Sequence, residues 1–114
     1  MIDELRDLVE RFDGVEEAKS RELILGLLRH GTAPLSRDHF TPGHITCTAV
    51  VLHPSEPAVL VVHHARLQRW LLPGGHVEAE DGAPWMAAAR EALEETGVRL
   101  DGRPGLLVGM DVHG

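Results

Sequence analysis

The sequence predicts a mixed α/β (α+β) chain, and three observations predict it. Residues 1–31 carry apolar side chains at helical spacing, residues 44–63 hold two runs rich in β-prone side chains, and residues 83–96 form a strongly helical Ala-, Glu- and Leu-rich stretch. At 114 residues the chain suits one compact domain. A domain of this size buries very roughly two-thirds of its unfolded surface, so its core needs no disulfide or structural metal to hold it.

In chain order, Ile2, Leu5, Leu8, Val9 and Phe12 recur every three or four residues, with Asp3, Glu4, Asp7 and Glu10 on the other faces. Asp13-Gly14 interrupts this pattern. Asp13 is placed to cap a second helix, with Glu16 three residues on as a weak capping box. Leu23, Ile24, Leu27 and Leu28 give that helix an apolar stripe, and Gly31 is placed to end it in a left-handed conformation. A polar, Pro-containing link from Thr32 to Gly43 leads to the β-prone runs His44 to Leu52 and Ala58 to His63. His53-Pro54-Ser55-Glu56-Pro57 joins them as a loose hairpin connection. Leu71-Leu72-Pro73-Gly74-Gly75-His76-Val77 reads as loop chemistry between two short apolar pieces. The helix from Ala83 to Thr96 tolerates Pro84 in its first turn and stops at Gly97. Leu106 to Val112 is a candidate last strand. Trp70 is expected in the core, and Trp85 and Met86 are expected to seat the helix.

Composition narrows the function. With 43% hydrophobic and 25% charged residues the chain is ordinary globular protein, and its net charge of −7 leaves no basic footprint for duplex nucleic acid or an anionic membrane. An anionic ligand would need a carboxylate-held cation to reverse the local field. The apolar run around Thr48 to Leu52 falls far short of the ~20 residues that cross a bilayer. A lone cysteine, Cys47, and an acidic start without a signal-peptide pattern point to a reducing cytoplasm. Eight histidines invite a zinc site, yet adjacent His63 and His64 would face opposite sides of a strand, and no pair has structural zinc spacing.

The informative segment is Trp70 to Val98. On the second half of its helix, Glu94 and Glu95 project about 60° and 40° to either side of Glu91, so three carboxylates share one face. Like charges at these spacings disfavour the isolated helix by a few tenths of a kcal/mol per pair, and a compensating cation would relieve them. Hard oxygen ligands suit Mg²⁺ or Mn²⁺. A bare acidic helix is equally a solvated face. The order of a Trp-x-x-Pro-Gly-Gly loop, an Ala-rich helix, Arg-Glu-x-x-Glu-Glu and Thr-Gly-Val is more specific.

These residues resemble the box of the Nudix (MutT-like) hydrolase family, G-x5-E-x7-R-E-U-x-E-E-x-G-U with U aliphatic. Gly75 is followed by five residues and Asp81, then by Arg90-Glu91-Ala92-Leu93-Glu94-Glu95-Thr96-Gly97-Val98. The second half fits at every fixed position. The first half departs twice, with Asp81 in place of Glu and eight residues in place of seven before Arg90; the added residue is expected near Gly82 to Pro84. Pro42-Gly43-His44-Ile45-Thr46 and His63 to Leu71 look like the family's lead into the box.

The resemblance implies a mixed β-sheet sandwiched between helices, with an N-terminal helical segment at 1–31 and a Nudix domain at 42–114 whose C-terminal portion is missing. It implies metal-assisted hydrolysis of a pyrophosphate bond in a nucleoside diphosphate linked to another moiety. Glu91 and Glu95 are implied as ligands of Mg²⁺ or Mn²⁺, and Glu94 as a third ligand or the general base. Arg90 is implied to orient a box carboxylate by forked hydrogen bonds, with Asp81 as acceptor and Gly97 as box support. Gly74 and Gly75 would let a carbonyl approach the cation, and His76 is the candidate substrate contact. The alternative is a catalytically weak Nudix-fold binding module. An open sheet edge would pair with a second copy, giving a homodimer.

Overall fold

A computed structural model describes residues 1–31, 33–39, 43–101 and 103–113. Thr32 and Pro42, at the starts of the expected link and domain, and Gly114 lie outside the described residues. The order of elements is α1 (Ile2–Arg11), α2 (Ala18–His30), β1 (Thr46–Thr48), β2 (Val62–His64), β3 (Arg69–Leu71), β4 (Gly74–His76) and α3 (Pro84–Thr96). The α+β class follows from the helical and β-prone stretches read above.

Helices α1 and α2 pack on each other through Leu5, Val9, Leu25 and Leu28, with Ile2, Ile24, Leu35, Ile45, Leu107 and Met110 closing around them. Asp3 and Glu4 in the first turn of α1 and Arg11 in its last complement the helix dipole. Arg21 of α2 donates from Nε to Val9 O at 3.0 Å, which also accepts the Phe12 amide, and from Nη2 to Glu10 O at 2.6 Å, capping the last turn of α1.

Three expectations for α2 are corrected. It begins at Ala18, with Glu17 at its N-cap and no side-chain cap, so Asp13 does not cap it. Residues 12–17 are instead spent turning the chain so that Arg21 reaches the end of α1. Leu23 is exposed and Leu25 takes its place in the core, shifting the stripe around the helix. Gly31 is extended (φ −73°, ψ 141°) rather than left-handed. Close approach explains the glycine: a Cβ there would stand 2.5 Å from Leu27 O.

The strands form two antiparallel pairs. β1 pairs with β4 in the register Thr46↔His76, Cys47↔Gly75 and Thr48↔Gly74, and β2 pairs with β3 through Val62↔Leu71, His63↔Trp70 and His64↔Arg69. Leu52 and Val59 bridge across the Pro-containing connection, where His53 Nδ1 accepts the Ser55 and Glu56 amides, each at 3.1 Å. Trp70 is not core: it is 67% exposed on the hairpin, edge-on to His63 at 5.0 Å between ring centroids. Cross-strand pairing puts the two rings on one face, opposite Val62 and Leu71. Leu106 to Val112 makes no strand among the described residues. Leu107 and Met110 turn onto the α1/α2 core instead, a helix-side contact that replaces a ladder.

Helix α3 positions the site. Pro84 occupies its first turn, and Gly97 ends it with φ 77° while donating to Leu93 O at 2.9 Å. The helix packs on β1 and β4 through Ala87 and Ala92, whose small side chains permit close approach. Trp85 is half-buried and Met86 is exposed, so Met86 does not seat the helix. Among the described residues no helix is long and apolar enough to cross a membrane.

Candidate active site

The site lies where α3 meets the Gly74–Gly75 strand. A Cβ built on Gly75 would fall 2.7 Å from Glu91 Oε1, so the missing side chain is the space that the Glu91 carboxylate occupies. On Gly74 a Cβ would fall 2.8 Å from both Cys47 O and Thr48 Cα, which are backbone atoms that cannot swing aside. The two glycines therefore do different things: one admits a carboxylate, the other admits β1. Gly74→Ala is expected to destabilise the chain by about 1–3 kcal/mol, read as a lowered thermal midpoint, because the β1–β4 ladder must separate.

Arg90 is the hub. Its Nε donates to Asp81 Oδ1 at 2.9 Å and its Nη2 to Asp81 Oδ2 at 2.9 Å, making a two-point fork. Nη2 also reaches His76 O at 2.9 Å, and Nη1 reaches Glu91 Oε1 and Glu94 Oε2, both at 3.1 Å. Asp81 is the buried charged residue of the chain's described part, and its Oδ2 accepts the Glu78 amide at 2.8 Å while its own amide donates to Glu78 O at 3.0 Å. Hydrogen bonds from Arg90 hold the Asp81 carboxyl below the usual carboxylate range against the opposing effect of burial. The same bonds raise Arg90, which stays charged at any working pH.

The three glutamates differ in setting. Glu91 has a side chain only 13% exposed and lies between Arg90 and Gly75. Glu94, 55% exposed, is drawn outward onto Arg90. Glu95 stays at the surface, yet partial burial raises its carboxyl; the Gly74 backbone opposes this and Glu91 adds to it. Among the described residues no three acidic, His or Cys side chains converge on one point. Glu91 and Glu95 beside the β4 glycines are the two carboxylates that could hold a cation. That suits Mg²⁺, which commonly takes one or two carboxylates with waters and substrate phosphates completing its shell.

His76 is half-buried with its ring 5.0 Å from that of His44, and its Nδ1 is buried without a hydrogen-bond partner among the described residues. Burial lowers its pKa, helped by Arg37 and His44 and opposed by Glu91. The residue contributes its carbonyl to Arg90 while its ring packs inward. Cys47, paired with Gly75 across the β1–β4 ladder, has its thiol pushed up to about 11 by burial, with the Asp81 charge adding to the effect and Arg90 opposing it.

Sequence reasoning missed Glu78, whose Oε1 lies 3.5 Å from Arg90 Nη1 and whose amide closes the Asp81 turn. The signal was an Asp three residues after it and just before a glycine, a side-chain-to-backbone turn pattern. A carboxylate-bearing helix set on a Gly-Gly strand, with a buried Arg–Asp fork behind it, is the local architecture. A family model of the NUDIX domain matches residues 43–109, and the chain belongs to the Nudix family.

Proposed function

We propose that the chain is a Mg²⁺- or Mn²⁺-dependent hydrolase that cleaves a pyrophosphate bond in a nucleoside diphosphate linked to another moiety. The observation that carries this reading is the placement of Glu91 and Glu95 against Gly74 and Gly75, with Arg90 tying Glu91 and Glu94 to the buried Asp81. Glu91 and Glu95 would hold the cation. Bound there, it would offset the phosphate charge and lower the pKa of water. Glu94, steered by one Arg90 contact and open to solvent, is the base that takes the proton as a water oxygen bonds to phosphorus and the bridging P–O bond breaks. Arg90 fixes carboxylate positions and does not itself touch the reacting atoms. His76 acts through its carbonyl, which helps set the Arg90 guanidinium.

Incubation with a panel of nucleoside diphosphate derivatives tests the proposal. Products that form with Mg²⁺ or Mn²⁺ and cease with chelator are the expected result. No turnover of any member with either metal would leave a Nudix-fold binding module in its place.

A further inference from the structure

The strands have two faces, and α3 covers one. Gly75 lies against Glu91, and Cys47, Ala49 and Pro73 are buried, so these positions mark the face on which α3 packs. By the two-residue period of strands, Thr46, Thr48, Val50 and Leu52 point the other way. The Leu60 amide donates to Val51 O and the His53 amide to Ala58 O, each at 2.9 Å, and Leu52 bridges Val59 between them. Leu52 therefore opposes Val59, and Val50 opposes Val61, as non-hydrogen-bonded pairs, the kind whose side chains stand closer. Alternation carries Val61 on to His63, whose cross-strand partner is Trp70. One continuous apolar face is thus turned away from α3.

Its size and its charge point to the same occupant. Val50, Leu52, Val59, Val61 and Trp70 are between 42% and 70% exposed. They leave on the order of 500 Å² of apolar surface in water, in the upper part of the ~300–600 Å² that the largest patch of a monomer spans. With Thr46, Thr48 and His63 around them, the face approaches the roughly 800 Å² that each partner gives to a standard interface. In a two-fold pairing the same surface meets its own copy, so a fixed charge on it would be brought up to a like charge. No strand position turned to this side is Asp, Glu, Lys or Arg, although the chain carries a net charge of −7. Two copies can meet here without like charges in contact, against the general repulsion between acidic chains.

We propose that this face is a homodimer interface, with two copies packed sheet face on sheet face about a two-fold axis and Leu52, Val59 and Trp70 at the contact. Facing sheets stack about 10 Å apart with their inner side chains interdigitated. The contact is made by the side chains of the face and not by a strand added at an edge. It leaves α3 and its carboxylates on the outer side of each copy, so the inference stands apart from the hydrolase reading.

Sedimentation equilibrium of the full chain over a concentration series tests the proposal. The wild type is expected to be a dimer with a micromolar or tighter dissociation constant. Leu52→Glu and, separately, Val59→Lys should raise that constant roughly a hundredfold or more, because each would carry a charge into the contact. Both positions are exposed in the single copy, so circular dichroism of dilute samples should match the wild type. Val15→Glu, at an exposed apolar position between α1 and α2, should leave the dimer intact. Added salt should tighten the dimer, since it screens the repulsion between acidic copies and strengthens apolar burial. A wild type that stays monomeric up to ~1 mM, as it would if the face served a different protein, overturns the proposal. So does a dimer that neither face variant weakens, or one that salt dissociates.

Discussion

Glu94→Gln and Glu95→Gln are expected to abolish most hydrolysis by different routes, and the difference is measurable. Glu94 stands at 3.1 Å from Arg90 Nη1 with more than half its side chain in solvent, while Glu95 sits beside Gly74 and Glu91. Loss of a general base removes about 10²–10⁴-fold from kcat at every metal concentration. Loss of a carboxylate ligand instead weakens cation binding, so the Glu95 variant should recover part of its rate as Mg²⁺ is raised. Rate against Mg²⁺ concentration for the wild type and both variants separates the two. The Glu94 curve should be lowered without being displaced, and the Glu95 curve displaced to higher Mg²⁺ by roughly tenfold or more. Equal rates in all three proteins would remove these glutamates from the chemistry. Rescue of the Glu94 variant by metal would make Glu94 a ligand.

The separation of the glutamates was only half legible in the sequence. Helical geometry placed Glu91, Glu94 and Glu95 on one face of α3, but the Gly74-Gly75 pair reads as a loop in the sequence and is strand β4 in the structure. Periodicity does not say how a long side chain resolves competing partners. Arg90 lies next to Glu91 and one turn before Glu94, and it draws Glu94 outward while Glu91 enters the space that Gly75 leaves. The limits of α3, by contrast, followed from local chemistry, since Pro84 and Gly97 act through backbone geometry that no distant contact alters. Trp70 shows the opposite case. Its hydrophobicity suggested burial, but the His63↔Trp70 register of a two-stranded hairpin assigns it to the open face. At Gly31 the residue type was informative and the reason was not: the glycine answers to the Leu27 carbonyl, a contact that sequence cannot display.

Removing either member of the Arg90–Asp81 pair is expected to cost up to about 3 kcal/mol of stability. The Asp81 side chain is 6% exposed and that of Arg90 19%. Without Arg90 the buried Asp81 charge loses its counter-ion, and without Asp81 the guanidinium loses its two-point partner and keeps its contacts to Glu91, Glu94 and the His76 carbonyl. Arg90→Lys should fare little better than Arg90→Gln, because one ammonium cannot serve both Asp81 oxygens and the His76 carbonyl that the fork reaches. Denaturant unfolding at neutral pH reads the loss, and acid reads its cause. Arg90 depresses the folded-state pKa of Asp81 below its unfolded value of about 3.9, so the stabilisation is complete above that value and disappears as pH falls through the folded one. The stability gap between wild type and Asp81→Asn should accordingly be wide at pH 7 and shrink progressively as pH falls below about 4. A gap under about 0.5 kcal/mol at pH 7, the scatter of ordinary surface changes, would show that the pair is dispensable. Asp81→Glu restores the residue of the family pattern but should not be neutral. The Glu78–Asp81 turn carries the Asp81 oxygens back to Arg90. An extra methylene must be forced into that closed turn, at an expected cost of roughly 1–3 kcal/mol. Deleting Gly82 alongside Asp81→Glu, which returns both length and residue to the family pattern, should recover part of that loss.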